Sequence, residues 1–285
     1  LVRKAIKRGL DVVLAPFGLE ARRRSRVHWD PVIYKEWEDL VPPRPLWVTP
    51  EEPAFQFARW TFTWYTYLTL LCDLGRDSSV LELGCSHGRT MLALVNYLVP
   101  PGRYEGLDIL PDQVEFAQRA ISARLPHFNF SVASDLYNTN YNPRGKVRPD
   151  SYRFPYADGS FDVIYAASVF THLIPPDAAN YLKQSRRVLR PGGRCLFSWC
   201  ILDYYRGFGT TSQPFMELEQ RLDGFDGVAV RNAQNPEQLI AFSTSVLEKM
   251  AADAGLRIAR IIPGSWSMSH RVAVSEQDLV LFEAV

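Results

Sequence analysis

The rhythm of apolar positions changes near residue 78. Beyond it, short apolar runs alternate with segments whose apolar residues recur every three or four positions, and this alternation predicts strands and helices in turn. Ser79–Cys85, Tyr104–Ile109, Phe128–Ala133, Phe161–Val169, Cys195–Ile201, Arg257–Ile262 and Leu279–Ala284 read as strands. Arg89–Leu98, Asp112–Ala123 behind Pro111, Pro176–Leu189 and Ser245–Ala254 read as helices, the last with a capping box from Ser245 and Glu248. Strands alternating with helices give an α/β fold, a parallel sheet covered on both faces. The last two strands are joined without a helix, so the final strand is expected to run antiparallel.

Two segments break the alternation. Residues 136–158 put a polar loop with Asn138, Asn140 and Asn142 where a helix would stand, and 203–244 form a long insertion before the helix at Ser245. Long insertions at a sheet edge serve as lids or substrate walls, and this is the expected role of 203–244. Upstream, residues 1–54 read as an arm. Val2, Ile6, Leu10, Val13 and Leu14 recur at helical spacing, and a proline-rich connector runs through Pro42, Pro43, Pro45, Pro50 and Pro53. The main domain is expected over 55–285, opening with an aromatic helix that sets Trp60, Trp64, Leu68 and Leu71 on one face.

Composition adds little, but charge placement adds something. With 47% hydrophobic and 22% charged residues and a net charge of +1, the chain has the make-up of an ordinary globular protein. Its first 26 residues nevertheless carry eight Lys or Arg against Asp11 and Glu20. Such an arm suits an anionic membrane surface, a nucleic acid, or a solvated or homodimer-contacting role, and the sequence leaves these open. A basic face around the active-site edge, as RNA would need, is not seen. No apolar run reaches the roughly 18–20 residues of a membrane helix. The four cysteines, Cys72, Cys85, Cys195 and Cys200, lie in apolar runs without a C-x-x-C pair, which predicts reduced, buried thiols and a cytoplasmic protein. The first residue is Leu1, not Met, which leaves room for residues upstream.

The sharpest chemical signal is Val80-Leu81-Glu82-Leu83-Gly84-Cys85-Ser86-His87-Gly88-Arg89, a strand running through a turn of small residues into a helix. Gly84 lets the backbone approach a ligand and Gly88 permits the turn. A dinucleotide site needs G-x-G-x-x-G, but Ser86 and Arg89 stand at the second and third glycines, which argues against NAD. Glu82 suits a cationic ligand. Asp108 ends the next strand, where a carboxylate accepts ribose hydroxyls, and Asp135 follows the third, where it could accept from an adenine amino group.

From about Phe55 to Val285 the chain resembles the class I S-adenosylmethionine-dependent methyltransferases, most closely their type 11 group. That family's E-x-G-x-G-x-G corresponds to Glu82–Gly88 with Ser86 at the middle glycine. Its P-x-x-D-x-S-F-D corresponds to Pro155–Asp162 with one shift in spacing, and its R-V-L-R-P-G-G to Arg187–Gly193. The resemblance implies a Rossmann-like seven-stranded sheet of order 3-2-1-4-5-7-6. It also implies S-adenosyl-L-methionine as cofactor, held by Glu82, Gly84, Cys85, Ser86, Gly88, Asp108, Ile109, Asp135, Leu136 and Ser168. Ser168–Leu173 and Tyr141-Asn142-Pro143 further resemble a bacterial subgroup that methylates glycans, glycolipids and secondary metabolites.

Methyl transfer to a hydroxyl of a small molecule or glycoconjugate needs a base. His172, just past the fourth strand, is the first candidate, against a role in capping or packing, and His270 in the last loop is the second. Tyr204, Tyr205 and Trp266 could stack on an acceptor or close a core. No acidic cluster suggests a metal. N- or C-methylation, RNA as acceptor, and a non-catalytic cofactor-binding role are the competing readings.

Overall fold

The computed structural model describes residues 40–42, 54–205, 218, 220–267 and 273–285. The arm up to Asp39, most of the connector, His270 and part of the insertion lie outside them. The aromatic helix is α1 (Ala54–Leu71), and it buries Trp64, Tyr67 and Leu68 while leaving Phe62 and Leu70 exposed. Then come β1 (Ser79–Leu83), β2 (Arg103–Asp108), α2 (Pro111–Ala117), β3 (Phe128–Val132), β4 (Phe161–Ala166), α3 (Pro175–Val188) and β5 (Leu189–Trp199). A small antiparallel sheet follows, β6 (Gln220–Arg221), β7 (Val228–Val230) and β8 (Ile240–Phe242), before α4 (Thr244–Asp253), β9 (Leu256–Ile262) and β10 (Asp278–Ala284).

The main sheet has seven strands in the order β3-β2-β1-β4-β5-β10-β9. β1 to β5 are parallel, and β10 runs antiparallel to both β5 and β9. This is the expected Rossmann-like order once the small sheet is counted apart. β1 is buried along its whole length because helices and loops cover both faces, which is why its sequence reads as one apolar run. No helix among the described residues is long and apolar enough to cross a membrane. All four cysteines are buried and free.

Two helices differ from expectation. The segment after Gly88 forms turns and a short 3₁₀ helix, Leu92–Asn96, instead of a full helix. Two of its polar groups bond other segments: the Thr61 hydroxyl donates to the Arg89 carbonyl at 2.6 Å, and the Thr90 hydroxyl donates to Glu82. α4 is capped by Ser243, whose hydroxyl accepts from the Val246 amide at 3.4 Å, so the expected Ser245–Glu248 box does not form. β8 stops at Phe242, which makes Ser243 the last extended residue, and the Asp203 carboxylate takes the Thr244 amide at 2.6 Å.

The ends of β5 and β10 meet at a buried acid. Asp278, fully buried, accepts from the Ile201 amide at 2.7 Å, the Gly264 amide at 2.6 Å and the Trp266 indole at 2.6 Å. Removing this carboxylate orphans three donors, each worth about 1–3 kcal/mol when buried without a partner. Asp278→Ala is therefore expected to cost at least about 3 kcal/mol in denaturant unfolding; a change under about 1 kcal/mol would show that water replaces the carboxylate.

Candidate active site

An open parallel sheet leaves a crevice where successive connections diverge beyond the carboxyl ends of its strands. In this chain that point lies at the ends of β1, β2 and β4, and a cavity of about 590 Å³ opens there. The volume falls within the roughly 300–1,000 Å³ of small-molecule sites. Glu82, Gly84, Cys85, Ser86, Asp108 and Ile109 line its β1–β2 half, with Ala133 and Leu136 from beyond β3. Ser168, His172, Ser198, Arg231, Leu239 and Gln277 line the half formed by β4, β5, β10 and the small sheet. Trp60 and Trp64 of α1 complete the wall.

The loop after β1 is shaped by what it cannot contain. Gly84 has φ +74°, and a Cβ there would stand 2.4 Å from Val169 Cγ2. Ser86 also adopts a left-handed conformation, φ +51°, which a serine holds only if something pays the strain. The holder is Asp108. Its carboxylate accepts from the Ser86 amide at 2.6 Å and from the Leu110 amide at 2.9 Å, and the Ser86 hydroxyl bonds Gln113. A carboxylate has about four acceptor positions, so Asp108 keeps capacity for a ligand at the cavity wall. Burial pushes its pKa up, and the surrounding backbone amides pull it back. Gly88 does not line the cavity; a Cβ there would press on Ile121 and Phe130, so its part is to let the loop close onto β3 and the helical turn that follows α2.

Beneath the loop, Glu82 is almost wholly buried and accepts three hydroxyl protons, from Thr90, from Tyr104 at 2.5 Å and from Tyr165 at 2.6 Å. Burial raises its pKa to about 7, against the pull of those three hydrogen bonds. Glu82 thus braces β1, β2 and β4 against one another as well as facing the cavity.

His172 is positioned from below. Phe170 is fully buried between Phe197 and Trp199, with ring centroids 4.6 and 4.3 Å away, and this fixes the single 3₁₀ turn Phe170–His172. His172 Nδ1 lies 2.8 Å from the Glu237 carbonyl oxygen. A carbonyl only accepts, so Nδ1 carries the proton and Nε2 keeps its lone pair. Burial lowers the imidazole pKa, and the imidazole is neutral at neutral pH. The Glu237 carboxylate meanwhile accepts from the Thr139 amide at 2.6 Å, so one residue of the insertion grips both the histidine and the loop carrying Tyr141. Tyr141 stands edge-on to His172 at 5.7 Å. The asparagines of that loop staple it: Asn142 donates to Ser134 and Leu136 carbonyls at 2.7 and 2.8 Å, and Asn138 accepts from the Asn140 and Tyr141 amides at 3.0 and 2.9 Å.

Some expected residues stand elsewhere. Asp135 is exposed and outside the cavity wall, because β3 ends at Val132 and the chain turns, with the Leu136 amide on the Ala133 carbonyl at 3.0 Å. Trp266 is fully buried and stacks on Tyr205 at 5.6 Å, in a cluster with Cys200, Leu218 and Leu239; neither ring lines the cavity, and neither does Tyr204. Sequence reasoning missed Gln113, Ser198, Gln277, Glu237 and the three hydroxyl partners of Glu82. Their positions depend on contacts between distant segments, for which no local pattern exists. Among the described residues no group of His, Cys, Asp and Glu could hold a metal ion.

Residues 81–195 match the family described as "Methyltransferase domain". The chain is 28% identical over 195 residues to an uncharacterized 37.1 kDa protein of transposon TN4556 from Streptomyces fradiae, covering 67% of this chain and 47% of that one. It is 30% identical over 122 residues to the methyltransferase GfsG of Streptomyces halstedii, covering 43% and 37% of the two chains. The chain thus spans less than half the length of these curated relatives. The fold is similar to that of the CcbJ methyltransferase from Streptomyces caelestis, with a TM-score of 0.51 at 16% identity over 82% of this chain and 94% of that one.

The raised pKa of Glu82 has a consequence for stability. A folded-state pKa of about 7, above the ordinary 4.5, favours folding while the group is protonated, and that contribution fades as pH rises from 4.5 through 7. Relative to Glu82→Gln, the wild type should lose up to about 3 kcal/mol of unfolding free energy across this window, measured by denaturant titration at each pH. A difference that is flat with pH would contradict the assignment.

Proposed function

We propose that the chain, whose residues 81–195 match a methyltransferase domain, works as a class I S-adenosylmethionine-dependent methyltransferase that methylates a hydroxyl oxygen of a small molecule, sugar or glycolipid. The cofactor, S-adenosyl-L-methionine, supplies an activated methyl group on sulfur. The β1–β2 half of the cavity fits it. Gly84 lets the loop pack against Val169 without a clash, the left-handed Ser86 is held by Asp108, and Asp108 retains acceptor positions for ribose hydroxyls at the cavity wall. Gly84, Cys85, Ser86, Asp108, Ile109 and Leu136 are the residues assigned to it in this reading, with Ser168 at the boundary with the acceptor half.

The observation that carries the hydroxyl reading is the tautomer of His172. Its Nδ1 proton is committed to the Glu237 carbonyl at 2.8 Å, which leaves a basic Nε2 on a residue of the acceptor half. A hydroxyl is a weak nucleophile at neutral pH, so its proton must leave as the methyl arrives, and His172 is the group we assign to accept it. Burial makes this imidazole a weaker base than usual but keeps it in the basic form near neutrality. Tyr141, Asn138, Arg231 and Gln238 give the rest of this half a mixed aromatic and polar wall, which suits a sugar face and its hydroxyls.

The test offers isotope-labelled cofactor together with methyl hexopyranosides, a phenol and benzylamine. Label is expected on hydroxyl oxygen. His172→Ala is expected to lower kcat by about 10²–10⁴ with S-adenosylhomocysteine affinity retained. The wild-type rate should fall as pH drops through a pKa below 6.5, and the variant should lose that limb. Label appearing on benzylamine alone, or a His172→Ala variant with near-normal turnover, would overturn the reading.

A further inference from the structure

Ser168, two residues past β4, has φ +59°, a backbone conformation that a non-glycine residue adopts at a cost. A closed ring of hydrogen bonds holds it there. The Ser168 amide donates to Ser198 Oγ at 2.7 Å, the Ser198 hydroxyl donates to Gln277 Oε1 at 2.7 Å, and Gln277 Nε2 donates back to Ser168 Oγ at 2.8 Å. The ring ties the ends of β4 and β5 to the start of β10, and all three residues line the acceptor half of the cavity. Gln277 is in turn fixed by its neighbour Asp278, the buried acid with three donors.

The proton directions in the ring are set by chemistry. An amide oxygen only accepts and an amide nitrogen only donates. The Ser198 proton therefore goes to Gln277, and Ser168 Oγ receives a proton from Gln277 while keeping its own. Thr171 Oγ1 lies 3.3 Å away, and with the buried Thr171 hydroxyl donating to Ser168 Oγ the Ser168 proton is left for the cavity. The Ser168 hydroxyl is thus a donor at the cavity wall.

We propose that Gln277 is a positioning residue whose ring makes Ser168 select oxygen over nitrogen in the molecule to be methylated. The proposal rests on the reading of the cavity as a methyl-transfer site. A hydroxyl oxygen has two lone pairs: one accepts from Ser168 and the other attacks. An amine nitrogen has one, and a hydrogen bond from Ser168 would occupy the pair it needs for attack; an ammonium has none. In the transfer, the free pair on oxygen forms the new oxygen–carbon bond as the sulfur–carbon bond leaves its pair on sulfur, and the hydroxyl proton passes to His172 Nε2.

The ring gives the test a signature that loss of packing lacks. In Gln277→Glu, the introduced carboxylate still accepts from Ser198 but cannot donate, so the Ser168 proton turns toward it and away from the cavity. Protonating that carboxyl restores the donor. Gln277→Leu removes both functions at every pH. The hydroxyl compound that accepts label in the panel above is titrated by calorimetry into wild type and both variants, each saturated with S-adenosylhomocysteine, at pH 7.5 and at about pH 4, below the ordinary glutamate pKa. Relative to wild type at the same pH, Gln277→Glu should bind it about ten- to a hundredfold more weakly at the higher pH and recover at the lower one, and Gln277→Leu should stay weak at both. Wild-type affinity in both variants, or the same loss in both at both pH values, would overturn the proposal. Failure of wild type to bind S-adenosylhomocysteine, or to label any hydroxyl compound of the panel, would instead defeat the reading on which it rests.

Discussion

The structure depends on one reversal of the chain. After β1 the backbone turns back at the cavity wall, and it does so through two left-handed residues, Gly84 and Ser86. Glycine removes the clash with Val169 at the first. At the second, the conformation is held by the Asp108 carboxylate, which takes the Ser86 amide at 2.6 Å. Because Asp108 ends β2, the register of β2 on β1 sets this bond, and the parallel pairing Glu82↔Gly106 and Leu83↔Leu107 is what delivers the carboxylate to the loop. Glu82 secures the same corner from below, drawing hydroxyls from β2 and β4 onto one buried carboxylate. Strand order, loop shape and ligand-facing chemistry are therefore one arrangement.

The acceptor half rests on longer-range contacts. His172, the proposed base, sits on a turn pinned by Phe170 in the aromatic core, its tautomer is set by a carbonyl 65 residues further along the chain, and Glu237 joins the small sheet to the loop that carries Tyr141. Arg231, Gln238 and Leu239 of the insertion line the same cavity.

What the sequence discloses divides along the same line. The seven strands and the antiparallel last strand are legible, because each leaves a local apolar run and the Glu82–Gly88 turn fixes where the first strand ends; the strand order follows only from the resemblance to the methyltransferase family. Asp108 is legible for the same reason, being the acid at a strand end. Helices are less so: the segment after Gly88 forms only turns and a short 3₁₀ helix, and a capping pair at Ser245 and Glu248 reads as plausible although Ser243 and Asp203 meet the first amides of α4. Asp135 fits the acid-after-strand pattern yet faces solvent, since a pattern in one dimension does not say where a strand stops. Gln277, Ser198 and Tyr165 leave no local trace at all; each owes its role to a partner many positions away.

The central claim is that the β1 turn and Asp108 form a ready-made cradle for the nucleoside of S-adenosylmethionine. A crystal structure with S-adenosylhomocysteine tests it most directly. The account predicts ribose oxygens within about 3 Å of the Asp108 carboxylate, with the Ser86 amide still bonded to Asp108 and Gly84 and Ser86 still left-handed. A nucleoside bound elsewhere in the cavity, or a loop that must rebuild and release Asp108 to admit it, would contradict the account.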